Sequence, residues 1–71
     1  MVQADWKRSV DAILESLKRH GFDYRIRKIQ GLLRVEDTLT GRWIGPLHKT
    51  KSGTLQFLQG CEAMVEVMAW P

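Results

Sequence analysis

Residues 22–47, FDYRIRKIQGLLRVEDTLTGRWIGPL, decide the fold, because their pattern predicts three short strands joined by two turns. Apolar and polar residues alternate at the start of this stretch, as in a strand with one buried and one solvated face. Gln30-Gly31 supplies the first turn, and the loop 37–41 supplies the second, where Gly41 suits a backbone with positive φ. Pairing in sequence order predicts an antiparallel meander.

The alternation also assigns the two faces of the sheet. The residues expected to face the core are Phe22, Tyr24, Ile26, Leu33, Val35, Trp43 and Leu47. The residues expected on the outward face are Arg25, Arg27, Leu32, Arg34, Glu36, Arg42 and Ile44. The parity of the third strand, Arg42 to Leu47, is ambiguous, and Pro46 requires that this strand be short and lie at an edge.

A helix is predicted from Asp5 to His20, before the strands. Its apolar residues recur at helical spacing and share one face: Trp6, Val10, Ile13, Leu14 and Leu17. Asp5 is the expected N-cap. Gly21 supplies the left-handed residue that ends the helix, and a contact between Phe22 and Leu17 completes a Schellman motif.

A second helix is predicted from Thr54 to Trp70, with Ser52-Gly53-Thr54 as its capping segment. Its apolar stripe comprises Leu55, Leu58, Cys61, Val65 and Met68, with Phe57 and Met64 beside it. This surface is wider than one sheet face needs. We therefore expect Met64, Val67 or Trp70 to remain exposed and to form a homodimer or partner contact, unless Trp70 folds back on Trp6 or on the sheet.

The predicted fold is α+β, a single domain over residues 1–71 with the order α-β-β-β-α and both helices on one face of the three-stranded meander. The expected core residues are Trp6, Ile13, Leu17, Phe22, Ile26, Leu33, Val35, Leu58 and Val65. With 44% hydrophobic and 27% charged residues, the 71-residue chain has the composition of one compact domain. A lone cysteine, the absence of zinc-type spacing and the absence of a long apolar run predict a soluble cytoplasmic protein with no disulfide, metal or membrane span.

Charge is segregated along the chain. Residues 18–51 hold nine Lys or Arg against three acids, and the remainder holds two against five, so the net charge of +3 divides into +6 and −3. Outward arginines suit phosphate oxygens, and lysines at the start of the last helix would add charge to its dipole. The predicted contacts to RNA or DNA are Arg25, Arg27, Arg34, Arg42, Lys49 and Lys51.

Two alternatives remain open for these basic residues. Glu36, Asp37 and Asp23 would pair with some of the arginines if the face is an ordinary solvated surface. The protein would instead be a small regulator or inhibitor of another protein if apolar residues form the contact. The candidate partner-binding residues are Leu32, Ile44, Met64 and Trp70.

The sequence gives no support for catalysis or for a cofactor. His20 is explained by its place at the end of a helix, and Cys61 lies on an apolar stripe, where a thiol is usually inert. No Gly-x4-Gly-Lys pattern is present. His48 is the one candidate acid or base, and we expect it to contribute little.

The chain resembles HicA-type toxins, which are RNA-cleaving proteins with a fold like that of double-stranded-RNA-binding domains. The matching residues are Ile13-Leu14, Leu17-Lys18-Arg19-His20-Gly21-Phe22, Gly31, Leu47-His48-Lys49 and Ser52-Gly53-Thr54-Leu55. In that family a histidine after the first turn glycine carries cleavage, whereas Leu32 and Leu33 stand there in this chain. The resemblance therefore implies the fold and nucleic-acid contact without nuclease activity.

A second resemblance is to the arm-binding domains of phage integrases, which place strands in the DNA major groove. The matching residues are Tyr24-Arg25-Ile26-Arg27, Thr40-Gly41-Arg42-Trp43-Ile44-Gly45 and Lys49-Thr50-Lys51. The helix predicted before the strands lies outside that pattern.

Overall fold

The computed structural model describes the backbone of residues 2–69 and the side chains of residues 5–68. Its elements are α1 (Val2–Arg19), β1 (Tyr24–Ile29), β2 (Leu32–Asp37), β3 (Trp43–His48) and α2 (Lys51–Ala69). The strands form one antiparallel sheet in the order β1-β2-β3, and both helices pack against each other and against one face of it. The predicted α+β fold with the order α-β-β-β-α is confirmed. Among the described residues, no helix is long and apolar enough to cross a membrane.

The end of α1 has the predicted Schellman geometry. Gly21 has a φ of 94°, its N–H donates to the carbonyl of Lys18 at 3.0 Å, and the N–H of Phe22 donates to the carbonyl of Leu17 at 2.9 Å. The start of α1 was predicted wrongly, because the helix begins at Val2 and Asp5 lies in its first turn. Residues 2–4 contain no helix breaker, and a carboxylate within the first turn still complements the dipole.

The two strands of the first hairpin are held by a two-residue turn. Gln30 has a φ of 51° and Gly31 a φ of 81°, the pair of left-handed residues that defines a type I′ turn. This turn sets the register in which Tyr24 pairs with Asp37 and Ile29 with Leu32. The predicted faces of β1 and β2 therefore hold.

The predicted faces of β3 are wrong. Val35 is opposite Ile44 and Glu36 is opposite Trp43, so Ile44 faces the helices and Trp43 lies on the open face of the sheet. Leu47, also expected in the core, is 44% exposed. The second hairpin sets this parity, because the N–H of Asp37 donates to the carbonyl of Arg42 and the next pair is Glu36–Trp43. Further along the strand, a bulge places residues 45–47 opposite Arg34 alone, between the pairs Val35–Ile44 and Leu33–His48.

Gly45 makes this bulge possible, because its φ is 77° and its backbone lies directly against the ring of Phe57. A Cβ atom at this position would stand 2.4 Å from Cζ of Phe57. The glycine therefore lets β3 and α2 approach more closely than any other residue would allow.

The core lies between the helices and the sheet. Its buried residues are Val10, Ile13, Leu17, Val35 and Leu58, and Trp6, Ile26, Ile44 and Val65 are among the partly buried residues packed against them. Two predicted core residues lie at the margin instead. Phe22 is 38% exposed, since the Schellman turn carries it past the end of α1, and Leu33 lines a surface cleft beside the first hairpin turn.

The start of α2 also differs from the prediction. Thr50 is the N-cap, because its Oγ1 accepts a hydrogen bond from the N–H of Gly53 at 3.0 Å, and the helix begins at Lys51. Thr54 is a fully buried residue within the helix, and its hydroxyl donates to the carbonyl of Thr50 at 3.0 Å. Thr54 is thus part of the core, and Thr50 is the residue that caps the start of α2.

The C-terminal half of α2 is only partly covered. Met64 is 66% exposed and Val67 is 73% exposed, as expected for surplus apolar surface. Met68 was assigned to the packed stripe, but it is 75% exposed because the sheet ends before it can be covered. The predictions for Trp70 lie outside the described residues.

Candidate nucleic-acid interface

The side of the sheet away from the helices carries an arginine face. The strand register brings together the pairs Arg25–Glu36, Arg27–Arg34, Ile29–Leu32 and Glu36–Trp43 on this side. We define the arginine face as Arg25, Arg27, Ile29, Leu32, Arg34, Glu36 and Trp43. Three of the four predicted arginines are therefore neighbours, as the alternation in β1 and β2 indicated.

Glu36 partly neutralises this face. Its Oε1 lies 2.6 Å from Nε of Arg25 and 3.6 Å from Nη1 of Arg27, and the residue is only 8% exposed. The alternative prediction that acidic residues pair with some of the arginines is therefore confirmed for Glu36. The side chain of Asp37 instead accepts hydrogen bonds from the N–H groups of Leu39 and Thr40 in the second turn. Three arginines against one glutamate leave the face with a formal charge of +2.

Arg34 and Trp43 form a fixed pair on the arginine face. Nε of Arg34 donates to the carbonyl of Gly45 at 3.1 Å, and its guanidinium carbon lies 5.3 Å from the ring centre of Trp43. This distance is within the range of a cation–π contact. Trp43 is 42% exposed. The sequence did not predict this pair, because Trp43 was expected to face the core, whereas it pairs with Glu36 on the open face.

A second basic site lies on the helix side of the sheet. Lys28, Lys49 and Lys51 line a cleft of about 360 Å³ together with Trp6, Gly31 and Leu33. We define these six residues as the lysine cleft. Its lysines come from β1, from the loop after β3 and from the start of α2, and none of its lining residues is acidic.

Trp6 ties the lysine cleft to both helices. Its Nε1 donates a hydrogen bond to the carbonyl of Lys51 at 2.7 Å, and the ammonium of Lys51 lies 5.3 Å from the centre of a Trp6 ring. Lys49 and Lys51 were predicted from sequence, whereas Lys28 was missed. The alternation in β1 could have identified Lys28, because the residue after the outward-facing Arg27 must point to the helix side of the sheet.

The lysine cleft and the arginine face lie on opposite sides of the sheet and meet at the first hairpin turn. Gly31 of that turn lines the cleft, and the flanking residues Ile29 and Leu32 belong to the face. Arg42 belongs to neither site. It precedes Trp43, and the N–H of Asp37 donates to its carbonyl at 2.8 Å, so alternation directs its side chain away from the arginine face.

The titratable residues suited to catalysis are separated. The ring of His48 packs on that of Phe57 with 5.1 Å between the ring centres, and its Nε2 is buried without a hydrogen-bond partner among the described residues. Nδ1 of His20 lies 2.9 Å from the carbonyl of Ser16. Burial raises the pKa of the Cys61 thiol, which disfavours the reactive thiolate. Within residues 5–68, no cluster of three His, Cys, Asp or Glu side chains could hold a metal ion.

An apolar patch lies at the far end of the domain from the lysine cleft. Phe22, Tyr24, Cys61, Met64, Val65 and Met68 line a cleft of about 240 Å³. Of the candidate partner-binding residues, Met64 belongs to this patch and Leu32 to the arginine face. Ile44 faces the core and cannot take part in an open-face contact, and Trp70 lies outside the described residues.

Comparisons of the chain with protein-family models, with curated proteins and with solved structures gave no match.

Proposed function

We propose that the protein is a non-catalytic module that binds RNA or DNA through phosphate contacts. The observation that carries this proposal is the lysine cleft, which is lined by three lysines from separate segments and by no carboxylate. Like charges that line one cleft repel one another, and an anion in the cleft would relieve this repulsion. Phosphates are the anions that a row of such charges would hold along a polynucleotide.

The start of α2 strengthens the anion preference of the lysine cleft. Lys51 is the first residue of this 19-residue helix, whose first turn contains no acidic side chain. The positive end of the helix dipole favours an anion beside Lys51. Side-chain charge and the helix dipole therefore both favour an anion at this end of the cleft.

The arginine face provides a second set of phosphate donors. Arg25 uses Nε to bind Glu36, and Arg34 uses Nε to bind the carbonyl of Gly45, which orients both guanidinium groups and leaves their terminal nitrogens for a ligand. The two basic sites meet at the first hairpin turn, so one flexible polynucleotide passing around this turn would contact both.

Fluorescence anisotropy with labelled single-stranded and duplex RNA and DNA at several salt concentrations tests the proposal. Lys28→Gln, Lys49→Gln and Lys51→Gln should each weaken binding to all sequences and make the salt slope shallower by about one unit. Lys18→Gln is the matched control, because this exposed lysine lies in the last turn of α1, away from the cleft. Thermal unfolding of each variant checks that the fold is retained.

Phosphate binding is strongest at low ionic strength, so measurements at low salt give the most stringent test. A wild-type protein that binds none of these nucleic acids at low salt would contradict it. Equal losses for Lys18→Gln and the cleft variants would also contradict it, because general charge rather than the cleft would then be responsible.

The apolar patch supports protein binding as a second candidate function, with a second copy of the chain as one partner. Exposed Met64 and Met68 lie together with Phe22 around one cleft, an arrangement typical of contact surfaces. Met68→Glu should disperse a dimer that sedimentation detects in the wild type. Val67→Glu is the control, because Val67 is as exposed as Met68 but does not line the cleft. A wild-type monomer at high concentration would exclude the dimer.

A further inference from the structure

Trp43 has the position of a stacking surface on the arginine face. It is a large aromatic residue at the start of an edge strand, 42% exposed, on the side of the sheet that no helix covers. Its neighbour across the sheet is Glu36, which is held by Arg25. An indole ring with this exposed fraction is costly to keep in water, and a planar ligand stacked on the ring would reduce the exposed area.

Arg34 fixes the geometry of this surface. Its guanidinium lies over the Trp43 ring and is anchored by the hydrogen bond to the carbonyl of Gly45. Both the indole ring and the guanidinium plane are surfaces on which nucleobases stack. The anchoring means that little side-chain freedom is lost when a base arrives.

We propose that Trp43, with Arg34, stacks an unpaired base, so that the preferred ligand of the arginine face is single-stranded nucleic acid. This inference rests on the proposed nucleic-acid binding and specifies its ligand. Bases inside a duplex are already stacked on their neighbours and present only their edges, on which an indole ring cannot stack. A single strand presents free base faces and is flexible enough to follow the surface from the lysine cleft around the first hairpin turn.

The experiment compares three ligands of one sequence: a single strand, the same strand with abasic sites that keep the phosphates, and its duplex. Anisotropy at fixed salt gives the affinity ratio of the normal strand to the abasic strand for wild type, Trp43→Phe and Trp43→Ala. Val67→Ala is the control for loss of an exposed apolar side chain away from the face. Each ratio is measured within one variant, so a change in stability cancels.

The wild-type ratio should be at least about fivefold, the lower end of the range for one base–aromatic stack. The ratio should fall to about one in Trp43→Ala, stay intermediate in Trp43→Phe and remain unchanged in Val67→Ala. Lys51→Gln should weaken binding of normal and abasic strands equally, because it removes a phosphate contact alone.

Two results would overturn this inference and leave the proposed function intact. One is a wild-type ratio of one, which would mean that only phosphates are bound. The other is an unchanged ratio in Trp43→Ala, which would place the base contact elsewhere. Absence of all binding, by contrast, would refute the proposed function itself.

Discussion

Substitution of Gly45 by alanine should be unusually destabilising, because it combines two costs. The residue has a φ of 77°, and a left-handed backbone costs a residue with a side chain roughly 1–2 kcal/mol. The new Cβ would also stand 2.4 Å from Cζ and 2.6 Å from Cε1 of Phe57, so the ring must move. Overpacking of this kind costs about 1–3 kcal/mol.

Gly31→Ala is the matched control for this prediction. Gly31 has a similar φ of 81°, but no atom lies within 4 Å of a Cβ built there. Both substitutions therefore have the same backbone cost and the same effect of alanine on the unfolded chain, and they differ only in the contact with Phe57. We expect losses in the free energy of unfolding of roughly 1–2 kcal/mol for Gly31→Ala and 2–5 kcal/mol for Gly45→Ala.

Urea denaturation of both variants gives these free energies, and a domain of this size has roughly 4–11 kcal/mol to lose. The steric part should shrink when Phe57 is shortened, so Gly45→Ala combined with Phe57→Leu should lose less than the sum of the single variants. Equal losses for Gly45→Ala and Gly31→Ala, or strict additivity with Phe57→Leu, would refute the close approach of β3 and α2 as the reason for this glycine.

Three further predictions follow from the described contacts. Leu17→Ala, at a fully buried position, should lower the free energy of unfolding by about 2–5 kcal/mol in urea denaturation, and a smaller loss than in Leu14→Ala would contradict the core. Glu36→Gln should tighten nucleic-acid binding because it removes the one negative charge of the arginine face, while it lowers stability by about 1 kcal/mol; weaker anisotropy binding would count against the arginine face. Burial raises the pKa of Cys61, so the folded state keeps the thiol proton to higher pH than the unfolded chain does, and stability should fall as pH rises above about 8.5. In denaturation measured as a function of pH, Cys61→Ala should reduce this loss of stability. Part of the loss should remain, because burial also raises the pKa of Tyr24.

Local sequence determined the elements whose signals lie within a few residues of one another. The apolar stripe of α1, the glycine that ends it and the two-residue turn before Leu32 were all predicted, because each depends on backbone preferences and near neighbours. The faces of β1 and β2 followed from unbroken alternation. For the same reason, the outward positions of Arg25, Arg27 and Arg34 were predicted correctly.

The helix boundaries show where local signals compete. Thr50, Ser52 and Thr54 each offer a hydroxyl suited to an N-cap, and the sequence alone does not choose among them. Burial of Thr54 against the core and the hydrogen bond from Trp6 to the carbonyl of Lys51 favour the earlier start. Both contacts join segments that are distant in sequence.

The sequence by itself determined which segments are helix and strand, and that Arg25, Arg27 and Arg34 share a face. Arg42 was wrongly expected beside them. Tertiary structure decided the parity of β3, because this parity depends on the register in which Trp43 pairs with Glu36. It also decided the bulge after Ile44, where Gly45 lies against Phe57 of α2. It also decided the lysine cleft, since Lys28, Lys49 and Lys51 converge only when the first hairpin turn meets the start of α2. Periodicity reports on neighbours along the chain, whereas the lysine cleft and the pair Arg34–Trp43 depend on contacts between separate elements, which periodicity does not encode.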